Sequence, residues 1–167
     1  LVLVTVMTPP DAGENTSLDL CTNGTVVGLF SYLGGSPDAP GAWTAPDGTA
    51  FAGSLDPGIH QPGTYTYTVI GSGPCPDASA QVEVSITSAP EAGSDGAILL
   101  CSASPAIDIL DHLNGTPQAG GTWTAPGGGA ITSAFDPATG TPGTYTYTVT
   151  GTAPCVNASA TVLVNVT

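Results

Sequence analysis

The stretch PGTYTYTV decides the fold, because it occurs at residues 62–69 and again at residues 142–149. Tyr and Val alternating with Thr, entered through Pro-Gly, is typical of a β-strand that follows a turn. Moving the sequence by 80 residues extends the match without a gap, and residues 11–87 share 34 of 77 positions with residues 91–167. The chain is therefore predicted to contain two copies of one β-rich unit.

Each repeat is predicted to fold as a β-sandwich. Alternation and turn residues in the first repeat predict strands at 17–21, 41–46, 64–70 and 80–87, the last two forming a hairpin. The segments VVGLFSYLGG (26–35) and AIDILDHLNG (106–115) predict a strand end followed by one helical turn. Several short strands without βαβ alternation indicate two packed sheets. We expect an N-terminal strand within residues 1–10 and domains at 11–88 and 89–167.

The charge composition limits the partners of the chain. Its 167 residues include 13 Asp and Glu but no Lys or Arg, which gives a formal net charge of −13. This excess repels phosphate backbones and anionic lipid surfaces, so nucleic acid is not an expected partner. No apolar run is long enough to span a bilayer, so membrane insertion is not expected. The N-terminal segment lacks the basic flank of a signal peptide, which predicts a mature product or a piece of one.

A longer pattern runs through both repeats. It reads Ala-Gly, Cys, Leu-x-Gly, Gly-x-Trp-Thr-x-Pro, Asp-Pro, Pro-Gly-Thr-Tyr-x-Tyr and Pro-Cys. This pattern resembles immunoglobulin-like and PKD-like modules, and more specifically the tandem extracellular repeats of Bacteroidota-type surface adhesin and fibril proteins. The resemblance implies an all-β chain of two tandem immunoglobulin-like β-sandwich domains plus an N-terminal strand. It also implies a corner tyrosine that bonds back to the backbone.

Four cysteines occupy two equivalent places in the repeats. Cys21 aligns with Cys101, and Cys75 aligns with Cys155. Four cysteines allow three connectivities, and we predict Cys21–Cys75 and Cys101–Cys155 because this pairing treats both repeats alike. Disulfides indicate an oxidising, extracellular compartment. A zinc site is the alternative, and the lack of a C-x-x-C motif and of nearby histidines disfavours it.

The remaining chemistry-bearing residues do not predict catalysis. Trp43 and Trp123 stand at the same position of each repeat and are predicted core anchors, with stacking on sugars as the alternative. His60 and His112 stand at different positions, which favours turn or surface roles. The sequence contains no nucleophile motif, phosphate-binding loop or free Cys/His pair. We therefore expect no enzymatic activity and no organic cofactor.

Polar residues suggest two kinds of attached group. All five asparagines lie in N-x-S/T sequons, which predicts N-linked glycans unless they are simply turn residues in a Ser/Thr-rich chain. They are Asn15, Asn23, Asn114, Asn157 and Asn165. Carboxylates near the junctions between repeats are candidate calcium ligands, with solvated side chains as the alternative. They are Asp11, Glu14, Glu91 and Asp95.

The first seven residues, LVLVTVM, are a surplus strand in the sequence pattern. They align with the closing strands at 81–87 and 161–167, with Val2, Val4 and Val6 in the inward row. On the other face Leu1 and Leu3 replace polar Gln81 and Glu83. A strand that is apolar on both faces is predicted to be covered on both. It either closes a preceding repeat of a longer array or is donated to a neighbouring subunit.

These observations predict a secreted structural subunit of an extracellular fibril or cell-surface appendage. The chain would form a homopolymer through its N-terminal strand, because donation from each copy to the next does not close on itself. The alternative is a spacer or glycan-binding segment of a longer cell-surface adhesin. The proposed assembly residues are Leu1, Val2, Leu3, Val4 and Val6.

Overall fold

The computed structural model describes residues 2–4 and 6–167. The chain divides into two compact units, one ending at Ser88 and the other spanning Ala89–Thr167. Apart from two short 3₁₀ helices, the regular structure in the described residues is β-strand. No helix among them has the length and apolar character needed to cross a bilayer.

The first domain has a five-stranded sheet and a two-stranded sheet. The five-stranded sheet has the order β1-β7-β6-β3-β4, in which β1 runs parallel to β7 and the other pairs are antiparallel. β2 and β5 form the second sheet. The elements are β1 (Thr16–Cys21), β2 (Val27–Gly28), a 3₁₀ helix (Leu29–Tyr32), β3 (Ala42–Thr44), β4 (Ala50–Phe51), β5 (Ser54–Leu55), β6 (Gly63–Val69) and β7 (Ala78–Thr87).

The second domain repeats this topology. Its main sheet has the order β11-β10-β13-β14-β8, with β8 parallel to β14, and β9 pairs with β12. The elements are β8 (Gly96–Leu100), β9 (Ile107–Asp108), a 3₁₀ helix (Ile109–His112), β10 (Thr122–Thr124), β11 (Ala130–Ile131), β12 (Ala134–Phe135), β13 (Gly143–Val149) and β14 (Ala158–Val166). The structure confirms the two immunoglobulin-like β domains and the single helical turn in each.

Alternation along the long strands builds each core. In β6, Tyr65, Tyr67 and Val69 are buried, whereas the threonines between them are half-buried. The predicted tryptophan anchors are confirmed, since Trp43 is 7% exposed and Trp123 is 4% exposed. Each indole packs against a strand tyrosine with ring centroids 5.0 Å apart. Burial of both rings leaves no indole face for stacking on sugars.

The PGTY motif forms the predicted tyrosine corner. The Tyr65 hydroxyl donates to the Gln61 carbonyl oxygen at 2.8 Å, and the Tyr145 hydroxyl donates to the Thr141 carbonyl oxygen at 2.6 Å. Burial raises the pKa of both phenols. Gly63 enters the strand at φ +133°, where a Cβ would approach the Pro46 ring at 3.0 Å. The turn and the corner together fix where the hairpin strand begins.

Candidate assembly site

The N-terminal segment exposes its apolar side chains. Val2, Leu3, Val4 and Val6 are 77–88% exposed. Within the described part of residues 2–7 there is no strand, in contrast to the sequence prediction, and Leu1 and Thr5 lie outside the described residues. An exposed segment without a partner strand bonds its backbone N–H and C=O groups to water, so a β-strand here requires an added sheet edge.

Each main sheet has one long edge strand. β1 ends the sheet of the first domain and β8 ends that of the second. The opposite edges, β4 and β11, are only two residues long. Because an edge strand presents backbone N–H and C=O groups to an incoming strand, β1 and β8 are the candidate acceptor edges.

The outer face beside β8 is mostly apolar, and its polar member is Asn165 of β14, which lies opposite Leu99. Ala97 and Leu99 point outward from β8, and Leu163 lies opposite Ala97 on β14. Leu99 is 66% exposed and Leu163 is 44% exposed. Ala97, Leu99 and Leu163 are hereafter called the β8 patch. The inward row of the same strand, Ile98 and Leu100, packs against the core, so β8 is apolar on both faces.

The corresponding face beside β1 is polar. Ser17, Asp19 and Glu83 replace the three residues of the β8 patch. The Thr64 hydroxyl donates to the Glu83 carboxylate at 2.5 Å, which holds that charge on the outer surface. The edge strands β1 and β8 therefore have the same place in their sheets but present different side chains to an added strand.

The structure contradicts both predicted disulfides. Cys21 and Cys155 are disulfide-bonded, whereas Cys75 and Cys101 carry free thiols. Cys21–Cys75 and Cys101–Cys155 are therefore wrong as pairings.

The two cysteines of one domain lie at opposite ends of its main sheet. Cys21 pairs with Thr87 at the end of β7, whereas Cys75 lies in the loop before Ala78, where β7 begins. Ten strand residues separate these ends by roughly 30 Å at about 3.3 Å per residue. A disulfide requires Cα atoms within about 7 Å. The second domain has the same arrangement around the nine-residue β14.

The four cysteines form two structural classes. Cys21 is the last residue of β1 and Cys101 directly follows β8, and these two are called the edge cysteines. Cys75 and Cys155 lie in the long hairpin loops and are called the hairpin cysteines. One member of each class is disulfide-bonded and one is free. The free Cys101 is exposed and the free Cys75 is half-buried. The Cys75 thiol donates to the Met7 carbonyl oxygen, with sulfur and oxygen 3.9 Å apart.

The candidate calcium ligands cap backbone amides. The Asp11 carboxylate accepts from the Gly13 N–H at 2.8 Å, and the equivalent Glu91 carboxylate accepts from the Gly93 N–H at 2.8 Å. The Asp95 carboxylate accepts from the Thr161 N–H at 2.8 Å, and this bond lowers its pKa. Glu14 pairs with Gly34 through the backbone. Across residues 2–4 and 6–167, no three acidic, His or Cys side chains are grouped to hold a metal ion, and calcium binding stays a prediction.

The sequon asparagines are all exposed. Asn15 and Asn157 use their side-chain oxygens, which accept from the backbone N–H groups of Gln81 at 2.8 Å and Gly151 at 3.0 Å. Asn114 instead donates its side-chain nitrogen to the Asp95 carbonyl oxygen. Because a glycan attaches to that nitrogen, Asn114 is the least suited of these three asparagines to carry a glycan. Glycosylation of the five positions, with Asn23 and Asn165 included, stays a prediction.

Open clefts lie beside both corner tyrosines. The cleft of about 620 Å³ in the second domain contains Asp136 and Tyr145. The equivalent cleft of about 300 Å³ contains Asp47, His60 and Tyr65. His60 lies in a turn, where its Nδ1 accepts from the Asp56 N–H at 2.8 Å. Each cleft offers a single carboxylate, so neither forms the paired carboxylates that glycoside hydrolysis uses.

Comparison with known proteins finds matches among solved structures only. No family model matches it, and no curated protein matches it. Solved structures that match include the I67–I69 fragment of titin, at 14% identity and a TM-score of 0.42, with 96% of this chain and 66% of that chain covered. The four N-terminal immunoglobulin domains of Dscam1 isoform 6.9 match at 14% identity and 0.39, with 97% and 45% covered.

A cadherin structure also matches. Protocadherin gamma B7 extracellular domains 1–4 match at 13% identity and a TM-score of 0.35, with 95% of this chain and 51% of that chain covered. This chain thus spans between 45% and 66% of the length of the three structures. The resemblance to Bacteroidota-type adhesin repeats stays a prediction.

Proposed function

We propose that this chain is a structural subunit of an extracellular fibril or surface appendage. In this proposal, residues 1–7 of one copy add as a strand to a sheet of the next copy. One observation carries the proposal: the N-terminal segment and the β8 edge are both apolar on both faces, whereas the equivalent edge β1 is polar on its outer face. Strand addition is an established mode of recognition between a sheet edge and an extended segment.

The alternation of side chains determines which edge accepts the strand. A strand laid beside β8 places the row Val2, Val4 and Val6 next to Ile98 and Leu100 on the inner face. Its other row then places Leu3 over the β8 patch. The same strand beside β1 would set Leu3 near the charged Asp19, which costs desolvation. We therefore assign the acceptor to the second domain.

Burial of the segment supplies the driving force. Full burial of a Val or Leu side chain is worth about 1.5–3 kcal/mol, and four such side chains are largely exposed in the isolated chain. A donor at the start of the chain and an acceptor in the second domain are different surfaces. Such a head-to-tail contact continues from copy to copy unless it closes into a ring, so the expected product is a fibre.

Charge opposes this assembly. Every copy carries a formal net charge of −13 and no Lys or Arg, so ion pairs between basic and acidic side chains do not contribute. Added salt screens the repulsion between copies. We therefore expect salt to favour assembly, which is the reverse of its effect on a contact made by salt bridges.

An extracellular location is part of the proposal. Disulfide-bonded Cys21 and Cys155 fit an oxidising compartment. The exposed sequons at Asn15, Asn23, Asn114 and Asn157 offer sites for glycans on the fibre surface, whereas Asn165 lies opposite Leu99 beside the acceptor edge.

The test compares the full chain with a variant lacking residues 1–8, by sedimentation and negative-stain microscopy. We expect filaments from the full chain and monomers from the deletion. The double variant Leu99→Asp/Leu163→Glu tests the acceptor, because it installs residues that the first domain already carries at the same positions. It is expected to fold normally and to stay monomeric. Ile59→Asp is the matched control, since Ile59 is 77% exposed but lies outside both surfaces.

Filaments that persist after the deletion would contradict the strand-donation mechanism. Monomers in every sample would overturn the fibril proposal. They would favour the alternative in which the repeats are spacers or glycan-binding segments of a longer adhesin.

A further inference from the structure

We propose that Cys75 of one copy forms a disulfide with Cys101 of the preceding copy, and that this bond locks the strand joint covalently. The inference rests on the proposed function, because it places the bond at the joint made by residues 1–7. It concerns the only two thiols that are free among the four cysteines.

Each class of cysteine has one oxidised member and one free member. In the described structure, one edge cysteine (Cys21) and one hairpin cysteine (Cys155) are disulfide-bonded. The free thiols are the remaining edge cysteine, Cys101, and the remaining hairpin cysteine, Cys75. Cys101 and Cys75 thus hold, each in its own domain, the repeat positions that the oxidised Cys21 and Cys155 hold in theirs.

Pairing inside a domain is excluded by length. The edge cysteine and the hairpin cysteine of each domain lie at opposite ends of the closing strand, β7 or β14. Strands of ten and nine residues keep those ends roughly 25–30 Å apart, far beyond disulfide reach. Cys75 and Cys101 therefore need partners from outside their own domains.

The N-terminal segment carries Cys75 to the joint. The Cys75 sulfur lies 3.9 Å from the Met7 carbonyl oxygen. Met7 also packs against the same hairpin loop, since its sulfur would be 2.8 Å from a Cβ built on Gly73. Cys75 is thus fixed at the C-terminal end of residues 1–7.

The direction of the added strand brings the two thiols together. In both domains, the strand that aligns with residues 1–7 runs parallel to the edge strand, as β7 does to β1 and β14 does to β8. A donated strand with this same direction and register along β8 sets Val2 beside Gly96, Val6 beside Leu100 and Met7 beside Cys101, as Thr87 lies beside Cys21. Cys101 follows Leu100 directly and is exposed. Cys75 of the donor copy then lies next to Cys101 of the acceptor copy.

The chemistry needs an oxidant, for which we name a low-molecular-weight disulfide such as glutathione disulfide. The thiolate of one cysteine attacks a sulfur of glutathione disulfide, and one glutathione thiolate leaves. The second protein thiolate attacks the mixed disulfide and releases the second glutathione. Two protein thiols lose two electrons and two protons, and one glutathione disulfide becomes two glutathione thiols.

The test uses the full chain, Cys75→Ser and Cys101→Ser, each incubated with glutathione disulfide under assembly conditions. Non-reducing denaturing gels report covalent species, and sedimentation of the same samples reports assembly. We expect a ladder of covalent multimers from the full chain and monomer bands from each single variant. A 1:1 mixture of the two variants is expected to give a covalent dimer and no higher species. Peptide mapping is expected to identify a Cys75–Cys101 cross-link in both the ladder and the dimer.

The outcomes separate this inference from the function on which it rests. Filaments that sediment but give only monomer bands would overturn the disulfide and leave the fibril proposal intact. Dimers from either single variant alone, at the rate of the mixture, would overturn the pairing of the two classes. Loss of both filaments and ladder would overturn the fibril proposal and the inference with it.

Discussion

The two domains have the same fold but opposite outer edges. Their shared residues include the corner strand PGTYTYTV, the core tryptophans and the inward valines of the closing strands. On the outer face, Asp19 and Glu83 of the first domain stand where the second has Leu99 and Leu163. Inward residues thus determine the sandwich, while outward residues determine which domain can accept a further strand.

The largest expected effect comes from moving the patch between domains. A chain with Leu99→Asp and Leu163→Glu is expected to stay monomeric. Adding Asp19→Leu and Glu83→Leu gives the β1 edge the leucines that β8 has lost. We expect filaments to return with a different subunit spacing, because the joint then forms on the first domain. Electron microscopy of the filaments measures that spacing, and an unchanged spacing would contradict the assignment of the acceptor edge.

Removing a core tryptophan tests the part in which the domains agree. Trp43→Ala and Trp123→Ala each leave a cavity beside a strand tyrosine, and such truncations cost about 3–5 kcal/mol. Both variants are expected to lower the free energy of unfolding of their own domain by a similar amount. Circular dichroism during chemical denaturation measures the variant domain, and fluorescence of the remaining tryptophan measures the other domain as an internal control. A small effect in one domain only would show that the cores are not equivalent.

The tyrosine corners give a smaller effect and a pH dependence. Tyr65→Phe and Tyr145→Phe each remove one hydrogen bond, worth about 0.5–1.5 kcal/mol. Burial raises the pKa of these phenols in the folded state, so their contribution is present below the unfolded pKa near 10. That contribution is lost as the pH rises through the folded pKa. Denaturation between neutral pH and pH 11 is expected to show a weaker alkaline loss in the Phe variants than in the parent chain.

The smallest effect separates the domains at acid pH. Asp95 and its equivalent, Asn15, accept the same backbone hydrogen bond at 2.8 Å, but only Asp95 titrates. The bond to Thr161 lowers the Asp95 pKa, so its stabilisation is present above the unfolded value and is lost as the pH falls through the folded value. Asp95→Asn is expected to reduce the acid sensitivity of the second domain, and Asn15→Asp to increase that of the first. Circular dichroism during acid titration measures the unfolding of each variant and of the parent chain. Variant curves that coincide with the parent curve would contradict this prediction.

Local patterns in the sequence predict much of the fold. The PGTY turn, the alternating closing strands and the short helical turn after 26–28 all depend on neighbouring residues, and the structure confirms them. The disulfides depend instead on which ends of a sheet meet. The parallel pairing of β1 with β7 places Cys21 far from Cys75, and no local pattern reveals a parallel edge strand.

The candidate assembly site is also predictable from the sequence only in part. Apolar alternation at residues 1–7 identifies the donor from sequence alone. The acceptor requires the structure, because Leu99 and Leu163 are distant in sequence and become diagonal neighbours only through the register of β8 with β14. In the alignment of the two repeats, Leu99 and Leu163 stand at separate positions, and nothing in the sequence shows that they share a surface.

The most direct test of the central claim is sedimentation velocity of two mixed variants. The chain lacking residues 1–8 keeps an acceptor edge but has no donor, whereas Leu99→Asp/Leu163→Glu keeps a donor but has no acceptor. Each variant alone is expected to sediment as a monomer of about 16 kDa. Their 1:1 mixture is expected to form a heterodimer that grows no further, since the two surfaces make a single joint. A mixture that stays monomeric, or filaments from either variant alone, would contradict the account.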